Sequence, residues 1–182
     1  MTTVDTRPAT ALRSLYLVRF GFAVVWAIVL IVGSTALATS GALNPLTAVL
    51  LVLYPVFDLV SAVVDRRSSG AAAPSALLIV NMVLSLAAAI GLVVAVMAST
   101  SAVLVVWGLW AITAGAVQLI VGIRRRALGG QWPMILSGGI SVLAGAGFVS
   151  QAAGDAKSVV GLGGYAVLGG IFFLVSALRL RR

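Results

Sequence analysis

Asp58 is the residue of this sequence best placed for chemistry in an apolar environment. It lies within a long apolar segment, eight residues before Arg66 and one helical turn after Pro55, which would kink a helix. At a rise of 1.5 Å per residue, Asp58 lies about 12 Å from the end of that segment. Tyr54 and Ser61 recur near it at helical spacing. An ionisable residue in such a segment is a candidate functional site.

Three interpretations of Asp58 follow from the cost of burying a charge. The first is a structural ion pair with Arg19, whose long side chain can reach inward from the edge of a neighbouring segment. In the second, Asp58 binds a proton or a cation that crosses the membrane. In the third, it faces a water-filled vestibule without any transport role.

Two amides extend this polar set. Asn81 and Ser85 form an i, i+4 pair on one helix face, and Gln118 lies in a later apolar segment. Hydrogen bonds of this kind commonly hold membrane helices together. The predicted intramembrane polar site comprises Asp58, Arg19, Tyr54, Ser61, Asn81 and Gln118.

The residue types that are missing exclude most enzyme chemistry. The sequence contains no cysteine, histidine or glutamate, so we expect no metal site, no cofactor and no thiol or histidine catalysis. An intramembrane enzyme would depend on the group Tyr54, Asp58 and Ser61, the least favoured reading. We therefore predict no catalytic residues and no enzymatic activity.

The composition indicates a membrane protein. Of 182 residues, 62% are hydrophobic and 9% are charged, with a mean hydropathy of +1.19, which excludes an ordinary soluble domain. A helix needs about 20 apolar residues to cross a hydrocarbon core of about 30 Å. Six such runs are present: 16–37, 45–64, 74–97, 102–123, 133–150 and 159–178. The fold class is therefore all-α and polytopic, with a polar tail at 1–15 and a six-helix domain at 16–182.

The cationic residues predict the orientation. Lys157 alone follows the fifth run, whereas every arginine lies beside the other ends: Arg7, Arg13, Arg19, Arg66, Arg67, Arg124, Arg125, Arg126, Arg179, Arg181 and Arg182. The positive-inside rule then places both termini in the cytoplasm. The net charge of +8 thus reflects orientation rather than nucleic-acid binding, with contact to anionic lipid headgroups as a secondary role.

The even-numbered runs repeat one pattern. Segments 55–62 (PVFDLVSA), 115–122 (GAVQLIVG) and 170–177 (GIFFLVSA) share a register, which makes Asp58, Gln118 and Phe173 equivalent. We therefore predict three helical hairpins in the same orientation, at about 16–65, 74–126 and 133–182. Because Phe173 replaces a polar residue, a three-fold polar ring is not expected.

The repeat also carries a family resemblance. Residues 107–124 (WGLWAITAGAVQLIVGIR) and 129–145 (GGQWPMILSGGISVLAG), with Arg19 entering the first helix, resemble the HdeD-like short-repeat membrane proteins. Pro55 departs from the pattern, since the later repeats have glycine there. The resemblance implies a six-helix bacterial inner-membrane protein of acid or general stress, without an established molecular activity.

Two functions of different classes follow. The leading hypothesis is a non-enzymatic inner-membrane protein that acts in acid or envelope stress through self-association or lipid contact. Its basis is the repeat, together with glycines at heptad spacing that would form close helix contacts or a homo-oligomer interface. The alternative is a small transporter or channel in which Asp58 couples protons or cations.

Overall fold

Six α-helices make up the computed structural model, which describes residues 7–37, 43–68, 74–155 and 157–180. No strand occurs in those ranges. All six helices are long and apolar enough to cross a membrane, which confirms the predicted all-α fold with six transmembrane helices. The helices are α1 (Arg7–Ala36), α2 (Pro45–Ser68), α3 (Ser75–Ala98), α4 (Thr100–Arg124), α5 (Trp132–Ala153) and α6 (Val160–Arg179).

The largest difference from the predicted boundaries is at the first helix. It begins at Arg7, nine residues before the predicted run, so part of the segment predicted as a polar tail is helical. Leu12 and Leu15 explain the extension, because both are buried and Leu12 belongs to an apolar cluster with Met134 and Phe173. Residues 1–6, Arg181 and Arg182 lie outside the described residues.

Local signals define the helix ends. Asn44 accepts a hydrogen bond from the backbone N–H of Thr47 at 2.9 Å, and its amide donates to the carbonyl of Gly33 at 3.1 Å, which ties the start of α2 to the end of α1. Ser99 caps α4 by accepting from the backbone N–H of Ala102. These caps define where α2 and α4 begin.

The helices form a closed ring. Each helix packs on the next one in the chain, and α6 packs on α1. The most extensive packing joins α4 to α5, α1 to α6 and α2 to α3. The tightest pairs therefore lie between the predicted hairpins rather than within them.

Glycines explain the closest of these contacts. A Cβ atom at Gly108 would lie 2.6 Å from the carbonyl oxygen of Gly145, and one at Gly115 would lie 2.6 Å from the Cβ of Ser141. On α6, a Cβ atom at Gly163 would lie 2.6 Å from Ile31. These glycine faces let helices of the same chain approach closely, so they are already occupied within the bundle.

Candidate functional site

A cavity of about 90 Å³ lies inside the ring. All six helices contribute residues to its lining. This volume is sufficient to hold water molecules. The lining combines aromatic, small and polar side chains, and it includes Asp58 and Arg19. A chamber with both polar and apolar walls therefore adjoins these two charged side chains.

Asp58 is the centre of a hydrogen-bonded network. Its carboxylate is 5% exposed by residue and forms an ion pair through Oδ1 with Arg19. Its Oδ2 accepts from the Asn81 amide at 2.6 Å and from the Ser85 hydroxyl at 2.8 Å. Trp110 in turn donates to Ser85 at 3.1 Å. Helices α1 and α3 therefore donate directly to this carboxylate on α2, and α4 supports it through Ser85, as a buried charge requires.

Arg19 has a second contact that does not involve Asp58. Its guanidinium lies 4.4 Å from the centroid of the Phe173 ring on α6, a cation–π geometry. Phe173 is the residue that the repeat aligns with Asp58. Two equivalent repeat positions thus hold the same arginine, one through charge and the other through an aromatic face.

The structure brings most of the predicted polar site together. Asp58, Arg19, Tyr54 and Asn81 all line the cavity, as does Gln118. The Gln118 amide donates to the backbone oxygen of Met134 at 3.3 Å and forms no hydrogen bond to Asp58. Ser61 is buried, but it is not among the described residues that line the cavity.

Sequence reasoning missed two members of the network. Ser85 was recognised only as the helical neighbour of Asn81, and Trp110 was not placed in the site at all. The i, i+4 spacing of Asn81 and Ser85 was the available signal, because both side chains point from α3 toward the same carboxylate. Trp110 carried no comparable signal.

A second buried ion pair lies nearer the arginine-rich end of the bundle. Arg125 donates to both carboxylate oxygens of Asp65, at 2.7 and 2.8 Å, and both side chains are less than a tenth exposed. Burial acts to lower the pKa of Arg125, but its hydrogen bonds to Asp65 outweigh this effect and raise that pKa. Arg125, predicted as an orientation signal, is therefore also a structural residue.

An aromatic layer bounds the cavity on the side away from the arginines. Tyr54 and Trp110 line the cavity, and Trp26 and Trp107 pack against Tyr54 with ring centroids 4.7 and 5.6 Å from it. Trp26 also donates to the carbonyl of Leu50 at 2.7 Å. The cavity thus lies between this layer and the Asp65–Arg125 pair.

Comparison with known proteins yields one family. Residues 80–150 match the model of the family described as "Short repeat of unknown function (DUF308)", to which the HdeD-like proteins belong. Neither a curated protein nor a solved structure matched the chain. The matched region contains Asn81, Ser85, Trp110 and Gln118. The resemblance predicted from the repeat is thereby confirmed for residues 80–150, which are similar to the DUF308 short repeat.

Proposed function

We propose that this protein is a small proton-coupled transporter or channel of the bacterial inner membrane, in which Asp58 binds and releases the proton. It performs no chemical conversion. The observation that carries the proposal is a buried carboxylate, paired with Arg19, that lines a cavity within the membrane-spanning region. Ionisable residues in such positions mark ion and proton pathways in membrane proteins.

The cavity is what favours this role over a purely structural ion pair. A buried ion pair by itself is weak evidence for stability, because its desolvation cost can exceed the attraction between the charges. Here the pair borders a space of about 90 Å³, which is large enough for water molecules that could carry a proton to Asp58. A pair that served only to hold helices together would need no such space.

The arginines are the basis for the proposed orientation of the protein in the membrane and for its proposed lipid contacts. Arg66, Arg67 and Arg126 are exposed beside one end of the bundle, and the positive-inside rule assigns that end, with both termini, to the cytoplasm. The Arg179 guanidinium lies 5.6 Å from the ring centroid of Trp132, and Trp132 is half exposed. Such aromatic and basic residues suit the headgroup region, including its anionic lipids.

The HdeD-like resemblance supplies the physiological part of the proposal, a role in acid or envelope stress. Self-association has less support than proton handling, because the glycines Gly108, Gly115 and Gly145 already pack α4 against α5. A proton-handling cavity and a stress role are compatible, since both concern the response of the membrane to acid.

Proton uptake into proteoliposomes tests the proposal. Vesicles containing the wild-type protein, a trapped pH-sensitive dye and chloride on both sides receive an external acid pulse. We expect faster internal acidification than in protein-free vesicles. The Asp58→Asn variant should abolish the difference, because its side chain keeps the shape of aspartate but cannot be ionised.

Asp155→Asn is the matched control, because Asp155 is exposed outside the helices. It should acidify like the wild type. If folded Asp58→Asn acidified the vesicles as fast as the folded wild type, the proposal would be contradicted.

A further inference from the structure

The position of Arg19 does not depend on Asp58 alone. Its guanidinium packs on the Phe173 ring at 4.4 Å, and both residues line the cavity. If Asp58 takes up a proton, Arg19 loses its counter-charge but keeps this aromatic support. The cation would then face the cavity without an anion.

The other charges around the cavity do not compensate for this loss. Asp65 and Arg125 satisfy each other through two hydrogen bonds. On α3, the network contributes the neutral side chains Asn81 and Ser85. The titratable and charged groups that line the cavity are Tyr16, Arg19, Tyr54, Asp58, Asp65, Arg125 and Tyr165. With Asp58 ionised these groups sum to zero, and with Asp58 protonated they leave one positive charge.

We propose that a small monovalent anion binds against Arg19 when Asp58 is protonated, so that the protein moves one proton together with one anion. This inference rests on the proposed function and names its co-substrate. An uncompensated charge within a membrane is costly, and the anion would restore neutrality in the place where the carboxylate charge was lost.

The geometry also limits the kind of anion. A guanidinium binds carboxylates and similar anions through charge-assisted hydrogen bonds. A cavity of about 90 Å³ admits an ion of the size of chloride or formate. The hydroxyls of Tyr54 and Ser137 line the same space and make no hydrogen bond to another described residue, so they are available as donors to the anion.

A cation fits the site less well. The ionised Asp58 carboxylate already accepts from Arg19, Asn81 and Ser85, and all three would have to give way. The protonated state carries an excess positive charge, which repels cations.

Chloride binding to the purified protein tests the inference, with tryptophan fluorescence as the signal because Trp110 contacts the network through Ser85. In the wild type, chloride affinity should rise as the pH falls, by at most about tenfold for each pH unit, because one proton is bound together with each anion. Asp58→Asn resembles the protonated state, so it should bind chloride tightly at neutral pH without this pH dependence. The double variant Arg19→Gln/Asp58→Asn, which contains no unpaired charge at the site, should lose binding at least tenfold.

Flux measurements separate this inference from the proposed function. Replacing chloride by gluconate, which exceeds the cavity, should stop proton uptake, and coupled uptake should not respond to a clamped membrane potential. If proton uptake persisted in gluconate, the proposed co-transport of an anion would be wrong, whereas proton transport through Asp58 would still stand. If Asp58→Asn bound chloride no more tightly than the wild type does at neutral pH, the proposed anion site would be wrong. If proton flux depended on the potassium concentration rather than on chloride, the cavity would be a cation site and the anion proposal would be wrong.

Discussion

At a pH at which Asp58 is ionised, Arg19→Gln should destabilise the folded protein by about 3–5 kcal/mol, because it leaves the Asp58 carboxylate buried without its counter-charge. The side chains of Arg19 and Asp58 are 18% and 7% exposed, so solvent screens the pair weakly. Asn81 and Ser85 would still donate to Asp58, but neither carries a charge. Denaturation of the detergent-solubilised protein with increasing SDS, followed by circular dichroism, would measure the loss.

The second substitution Asp58→Asn should restore most of that stability. The double variant Arg19→Gln/Asp58→Asn contains no unpaired charge, although Gln is shorter than Arg, so we expect it to be clearly more stable than Arg19→Gln alone. Arg66→Gln is the control, because Arg66 is exposed and exposed charges contribute little. If Arg19→Gln alone were as stable as Arg66→Gln, Asp58 would not be an ionised partner of Arg19.

Gly169→Leu should abolish transport without unfolding the protein. Gly169 lines the cavity, and a Cβ atom there would have no neighbour within 4 Å. A leucine side chain at this position would fill the space beside Arg19 and Asp58. Since glycine is unfavourable inside a helix by about 0.5–1 kcal/mol, we expect unchanged or slightly greater stability together with the loss of proton uptake.

Gly164→Leu provides the matched control on the same helix. Gly164 is exposed, and a Cβ atom there would also have open space around it, but this residue does not line the cavity. The control should therefore gain the same helix propensity and retain transport. Full proton uptake by a folded Gly169→Leu variant would show that the cavity is not the pathway.

The apolar runs were sufficient to predict the helices, because a membrane span has a fixed minimum length and must satisfy its backbone hydrogen bonds internally. Five of the six helices begin within two residues of the predicted runs. The first helix differs, because Leu12 and Leu15 lie among arginines and hydroxyl residues that make the segment look polar. The burial of Leu12 depends on packing against α5 and α6, which local composition does not indicate.

The partner of Asp58 was predictable in the same way. A buried carboxylate needs a counter-charge, and Arg19 was the cation that could reach it from a neighbouring helix. The cavity was not predictable, because it depends on how six helices close into a ring. Glycine spacing indicated that close faces exist on α4, α5 and α6, but not that α6 would pack on α1.

The pair Asp65–Arg125 shows a further limit of sequence reasoning. Both residues lie among the arginines that indicate orientation, and no local pattern distinguishes Arg125 from its neighbours Arg124 and Arg126. Only the register between α2 and the end of α4 brings its guanidinium to both oxygens of Asp65. Burial, rather than residue type, separates the structural arginine from the exposed ones.

Infrared difference spectroscopy tests the central claim, reversible protonation of Asp58, most directly. Spectra of the reconstituted protein at acidic pH, minus those at neutral pH, contain the carbonyl stretch of each carboxylic acid that has gained a proton. We predict one such component that disappears in Asp58→Asn and remains in Asp155→Asn. A difference spectrum that Asp58→Asn leaves unchanged would contradict the account.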